Sequence, residues 1–399
     1  MILELLIALL CGVTAGTLTG LIPGIHTNLV AIFLISGSTM LLNVFSPIQL
    51  VVFIVAMGLT NTFIDTIPSI YLGAPDEETA LSVLPGHKML LDGKGHEAII
   101  YTLIGSSVAI IIFLLLTPIF FIIIPYVQNF VEKMMAFFLI WACIFLIYRE
   151  KSSKIRALII FILAGFLGIA SLNINANQPL MPLLTGLFGT STLIYSISLK
   201  SSIPKQRQEK IKIDWKDVKK PTIATTITSP LCSFLPGMGA SQSAIIGSEV
   251  MGEMSPKSFL VLIGSTNTLV LSVSFLILYL TNKKRSGLAS AISQLTNLTL
   301  NDFLIICAAI VLTSVISIFL TIKLSKFFAN QIHKINYEKI SKIVILFLII
   351  VVTLVSGLTG LIILTASTLL GLTCSYMNVR KGFLMGCLLI STVLFYLPI

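Results

Sequence analysis

Polar side chains are scarce in this chain, and those able to bind a ligand fall into two matching sets. Thr60-Asn61-Thr62 and Thr266-Asn267-Thr268 each follow a glycine, Gly58 or Gly264, inside an otherwise apolar stretch. Ahead of them lie Pro23-Gly24-Ile25-His26-Thr27-Asn28 and Pro236-Gly237-Met238-Gly239-Ala240-Ser241, the second continuing to Ser243. A Ser-Pro pair, Ser46-Pro47 or Ser255-Pro256, stands between the two signatures, so their order is the same in both halves. A Pro-Gly step removes a backbone donor and frees the chain, breaking a helix. The break turns amide N–H groups and a half-helix dipole toward a carboxylate or phosphate, and unwound carbonyls toward a cation. Helix capping explains Thr27, Asn28, Ser241 or Ser243 taken singly. The repetition favours a binding site built from all of these residues, because three adjacent polar side chains in hydrocarbon have no water to satisfy them.

Two acids, Asp65 and Glu249, fall inside or at the edge of apolar spans. Asp65 lies four residues after Asn61, so the two share a helix face, and the second copy has Leu271 there. An acid at membrane depth in only one half reads as an ion-coupling site for H+ or Na+. The competing expectation is that Asp65 ends its helix before Pro68 and is wet.

The elements that must carry these residues are membrane helices. Of 399 residues, 56% are hydrophobic and 11% charged, with mean hydropathy +1.02, against roughly a quarter charged in a soluble domain. Apolar runs of spanning length occur at 2–22, 28–45, 48–67, 97–125, 128–148, 155–174, 179–199, 221–248, 257–281, 302–324, 342–357, 358–376 and 382–398. The expected fold is an all-α integral membrane protein of about ten to thirteen membrane segments. Paired broken segments at corresponding positions imply two inverted repeats, with re-entrant helices at the Pro-Gly loops and a shared midplane site. The first repeat is 1–199, a basic linker 200–220, and the second repeat 221–399.

The net charge of +10 sits in short connections, among them Arg149 to Arg156, the linker, and Arg380-Lys381. That is positive-inside bias rather than a nucleic-acid footprint, and it places the linker in the cytoplasm of a multi-pass cell-membrane protein. The N-terminal run carries Glu4 and no basic n-region, so a structural helix is expected rather than a signal peptide. Gly12, Gly16, Gly20 and Gly24 recur every four residues, which reads as a close-packing face for the first three. On that reading a methyl at Gly12 costs little, whereas Gly24→Leu or Gly237→Leu blocks transport. The six cysteines are isolated and read as small core residues. His87 and His96 are expected in a loop. No His/Glu cluster suits a metal, no cofactor motif appears, and no nucleophile has a placed base, so no enzyme is expected.

The segment Ala74-Pro75, Thr79-Ala80, Pro85-Gly86-His87-Lys88 and Gly93-Lys94-Gly95 resembles the first loop of the tripartite tricarboxylate transporter large-permease (TctA) family. Gly20-Leu21-Ile22-Pro23-Gly24 and Phe234-Leu235-Pro236-Gly237-Met238-Gly239 look like that family's duplicated G-x-x-P-G loops, and Arg380-Lys381-Gly382 like its archaeal branch. The resemblance covers nearly the whole chain. It implies a permease moving a small organic anion such as a carboxylate, coupled to a cation gradient. In bacterial members it also implies a small membrane subunit and a periplasmic binding protein; a homodimer is a further expected assembly. Asp76-Glu77-Glu78 depart from the family's small residues, and beside an anion they belong to the coupling ion or must be paired or protonated. An alternative keeps the paired loops and moves a polyprenyl phosphate, which requires a lateral opening between spans. A soluble anion requires a sealed central site.

Overall fold

The computed structural model describes residues 2–22, 27, 30, 34, 41–73, 81, 83–148, 150, 153–174, 176–198, 204–207, 211, 213–234, 239–332 and 337–397. Among these the chain is helical, with no strand. The first half runs through α1 (Ile2–Leu21), α2 (Pro47–Ile64), α3 (Thr66–Tyr71), α4 (Val83–Leu91), α5 (Gly95–Tyr148), α6 (Lys154–Asn173), α7 (Leu180–Leu184), a π-turn (Thr185–Thr190) and α8 (Ser191–Ser198). The second runs through α9 (Trp215–Ser233), α10 (Ala240–Met251), α11 (Pro256–Thr281), α12 (Gly287–Leu295), α13 (Leu300–Ile332), α14 (Tyr337–Tyr376), a 3-10 turn (Lys381–Met385) and α15 (Gly386–Tyr396).

The two Ser-Pro pairs start α2 and α11. Proline at the first helical position loses nothing, because that N–H has no intrahelical partner. Gln49 Oε1 accepts from the Ser46 amide at 2.9 Å, and Ser255 Oγ accepts from the Ser258 amide at 3.0 Å. These two helices form the centre of the molecule and are buried almost throughout. Lipid-facing helices keep large apolar side chains outward, as Leu3, Phe166 and Leu354 do.

Each central helix packs on the helix before its half's Pro-Gly break, α2 on α1 and α11 on α9, and the contacts then cross over. α2 packs against α12 and α13 of the second half, and α11 against α4 and α5 of the first. A second bundle joins α6, α7, the π-turn and α8 to α14, the 3-10 turn and α15. Both halves thus contribute to both bundles.

Eight helices among the described residues are long and apolar enough to cross a membrane, and two shorter apolar helices, Leu139–Tyr148 and Lys381–Tyr396, accompany them. The 54 residues of α5 would reach about 80 Å if straight, far beyond a bilayer. Glu97 at its start pairs with Lys257 at 2.7 Å, while Leu146 near its end shares a small cavity with Phe259. Both ends lie at one end of α11, so the segment doubles back. Gly357, at φ 64°, interrupts α14, at the junction expected between spans 342–357 and 358–376.

Three expectations are corrected. A Cβ on Gly12 would lie 2.5 Å from the Phe53 carbonyl oxygen and 2.8 Å from Ala56 Cβ, so a methyl there is not cheap: α1 rides on the α2 backbone. His87 lies on α4 and His96 in the first turn of α5, both buried rather than in a loop. Cys11 is exposed on α1, while Cys232, Cys374 and Cys387 are core residues. The linker is also less solvated than its charge suggests. Buried Gln206 accepts from the Gly95 amide at 2.8 Å and donates to the Leu90 carbonyl at 3.1 Å, docking residues 204–207 on the α4–α5 turn.

Candidate functional site

The two Thr-Asn-Thr triplets meet where α2 and α11 cross. Asn267 Nδ2 donates to Asp65 Oδ2 at 2.8 Å, and the hydroxyls of Thr62 and Thr268 lie 3.2 Å apart. Both contacts join the halves. Asn61 Nδ2 donates to Thr19 Oγ1 at 3.2 Å and Ser317 Oγ to Thr60 Oγ1 at 3.1 Å, tying the cluster to α1 and α13. Thr266 turns its hydroxyl to the Ile263 carbonyl of its own helix.

The backbone places Asp65 here. α2 ends at Ile64 and α3 begins at Thr66, with Asp65 as the joint at φ −58° and ψ −23°. The joint keeps helical dihedrals, so the acid stays on the face it shares with Asn61. Asp65 is 2% exposed: it is a buried acid, not a wet helix end. Asn267 Oδ1 is buried without a hydrogen-bond partner among the described residues. A buried acceptor with nothing donating to it has lost hydration without replacement, beside a carboxylate that favours cations.

The polar lining continues from α11 into α9. Thr225 and Ser265 hydroxyls lie 2.5 Å apart, and Ser233 Oγ donates to the Val270 carbonyl at 3.3 Å. Ser243 sits between Thr228 and Ser229 at 3.0 and 3.1 Å. Its hydroxyl therefore holds α10 against α9. The Gly239 amide donates to Gln242 Oε1 at 2.9 Å, a helix N-cap. Ser241 is buried and Thr27 half-buried. Pro23, Gly24, His26, Asn28, Pro236, Gly237, Asp76, Glu77 and Glu78 lie outside the described residues.

Thr19 and Ser317 join the triplet cluster, Thr225 pairs with Ser265, and Thr228 and Ser229 hold Ser243; all six partners, Thr19, Thr225, Thr228, Ser229, Ser265 and Ser317, are buried and escape a motif reading. Their signal is a hydroxyl inside a span, which usually donates to its own helix and so looks structural. Glu249 lies apart, lining a cavity of about 190 Å³ with Arg380, Phe259 and Leu146. A larger apolar groove of about 690 Å³ opens beside α1 and α2, lined by Glu4, Cys11, Gln49 and Phe53. Among the described residues its lining carries an acid and no cation. No group of three His, Cys, Asp or Glu side chains among the described residues would hold a metal.

Comparison with known proteins bears on this arrangement. A family model described as the tripartite tricarboxylate transporter TctA family matches residues 6–386. An uncharacterized protein of Methanocaldococcus jannaschii is 32% identical over 406 residues, covering 98% of this chain and 99% of its own length. No solved structure matches.

Proposed function

From the premise that this chain belongs to the tripartite tricarboxylate transporter TctA family, a family of multi-pass membrane transporters, we propose that it is a secondary permease for a small organic anion such as a carboxylate. Transport is coupled to H+ or Na+ and proceeds by alternating access between the two halves. The observation that carries this reading is the buried Asp65–Asn267 contact joining those halves. An ion-free carboxylate at this depth is costly, and a proton or cation that neutralises it changes how tightly the halves close. The unsatisfied Asn267 Oδ1 supports a cation bound beside the carboxylate. The two Pro-Gly loops supply amide donors for the anion on this reading. A small membrane subunit and a binding protein are proposed partners by family analogy.

Asp65→Asn keeps the shape and removes the titration. In proteoliposomes loaded to test radiolabelled citrate, it should abolish accumulation driven by a pH or Na+ gradient while leaving the protein folded. Wild-type accumulation with unchanged pH and Na+ dependence would remove Asp65 from the mechanism.

A further inference from the structure

Lys381 is the charged side chain that the transport reading leaves unexplained. Its neighbours Arg380 and Gly382 line the small cavity, and Arg380 pairs with Glu150 at 2.7 Å. Lys381 itself turns inward and is 6% exposed. Nζ lies within hydrogen-bond distance of two hydroxyls at the start of α8, Ser191 Oγ at 3.2 Å and Thr192 Oγ1. Those hydroxyls donate to the Leu187 and Phe188 carbonyls of the π-turn, so toward the lysine they act as acceptors. The π-turn is itself a departure from regular helix of the kind found at functional sites.

The donor count decides the protonation state that fits. An ammonium has three N–H groups and a neutral amine two; among the described residues the site offers two acceptors. Among the described residues, the charged and titratable groups that face it carry no compensation. His87 faces it from α4 and Cys374 from α14, whose Sγ donates to the Val379 carbonyl. Arg156 of α6 is bound to the Met377 carbonyl, and α15 brings Cys387. None of these is a carboxylate; of the nearby described acids, Glu150 is paired with Arg380 and Glu249 lines the cavity with Arg380 and Gly382. A buried ammonium without a counterion is strongly disfavoured. Lys381 also stands at the joint between bundles, held by the peripheral α8 and faced by His87 of the central one.

We propose that Lys381 is a second proton-carrying residue of the transport cycle, neutral while sealed against Ser191 and Thr192, and protonated when the joint between the bundles opens to water. This rests on the permease reading and sharpens it, because a lysine can carry only a proton. At least one coupled ion is then H+.

The test has one arm that needs no substrate. A lysine neutral in the native state and charged when unfolded makes the unfolded state bind more protons, so stability rises with pH up to the ordinary lysine value of about 10.4. Thermal unfolding of the whole chain in detergent between about pH 7 and pH 10 should show the wild-type Tm rising relative to Lys381→Met, which has nothing to titrate. Lys381→Arg, which stays charged, should lower Tm across that range. Parallel wild-type and Met profiles overturn the proposal. In the second arm, a one-unit pH gradient supports about tenfold accumulation per coupled proton. Lys381→Met should lose that factor for radiolabelled citrate while keeping citrate exchange at equal pH; retention of the full gradient-driven accumulation counts against the proposal. If wild-type moves no citrate but the Tm difference appears, the proton site stands and the substrate assignment fails.

Discussion

Counted back from Pro23 and Pro236, the helices before the two breaks place different residues at the same three positions: Gly12, Gly16 and Gly20 on α1, Thr225, Ser229 and Ser233 on α9. The first helix lies backbone against backbone, where a Cβ on Gly16 would be 2.4 Å from the Met57 carbonyl oxygen. The second reaches across with hydroxyls, to Ser265, Ser243 and the Val270 carbonyl. The same positions counted back from each Pro-Gly step are thus held by van der Waals approach on α1 and by hydrogen bonds on α9, the two ways helices associate without a hydrophobic driving force. The consequence reaches the acid. A Cβ on Gly20 would lie 3.3 Å from the Asp65 amide, so the glycine face presses α1 against the joint that carries the carboxylate. In the second half that position is Leu271, which packs toward Gly58.

The largest expected effect comes from cutting the contact that joins the halves. Asn267→Leu takes the amide donor away from a buried carboxylate and should cost about 1–3 kcal/mol or more, read as a fall in Tm; adding Asp65→Asn should recover part of it. An unchanged Tm would mean that the contact does not hold the halves. The contrast between the packing faces comes next. Gly16→Ala must push α1 off the α2 backbone and should cost about 1–3 kcal/mol, and Gly12→Ala should behave similarly. Ser229→Ala loses one hydroxyl contact and should cost about 0.6 kcal/mol. Equal losses at Gly16 and Ser229 would erase the distinction.

A smaller effect distinguishes the short helices that cross over. α4 carries His87, buried and bonded to the Ile70 carbonyl, whereas α12 carries no titratable group. Burial holds His87 below its ordinary value against the opposing Ile70 bond. The native state then keeps His87 neutral while the unfolded state takes up a proton, so stability falls as pH drops below about 6.5. His87→Gln should flatten that acid limb of the Tm profile. The smallest effect is the Thr62–Thr268 contact. A cycle of Thr62→Val, Thr268→Val and the double variant should give a coupling of about 0.6 kcal/mol, and zero coupling would make that contact incidental.

Read without a structure, the chain already determined its class. A composition this apolar leaves no soluble surface, Ser46-Pro47 and Ser255-Pro256 start helices, and Gly357 interrupts a helix because its backbone is free to turn. The recurrence of Thr-Asn-Thr likewise identified which side chains would be buried together, since polar groups in hydrocarbon must find one another. Tertiary structure decided the partners. Nothing in spacing says that Asn267 bonds Asp65, because that needs two helices 200 residues apart to cross at one height. Nor does spacing reveal that the α1 glycines meet the α2 backbone while the α9 hydroxyls reach Ser265, Ser243 and the Val270 carbonyl, or that Lys381 turns inward while Arg380 beside it meets Glu150. Local periodicity fixes which face a residue occupies; what stands opposite that face, and whether water reaches it, depends on the packing of elements far apart in the chain.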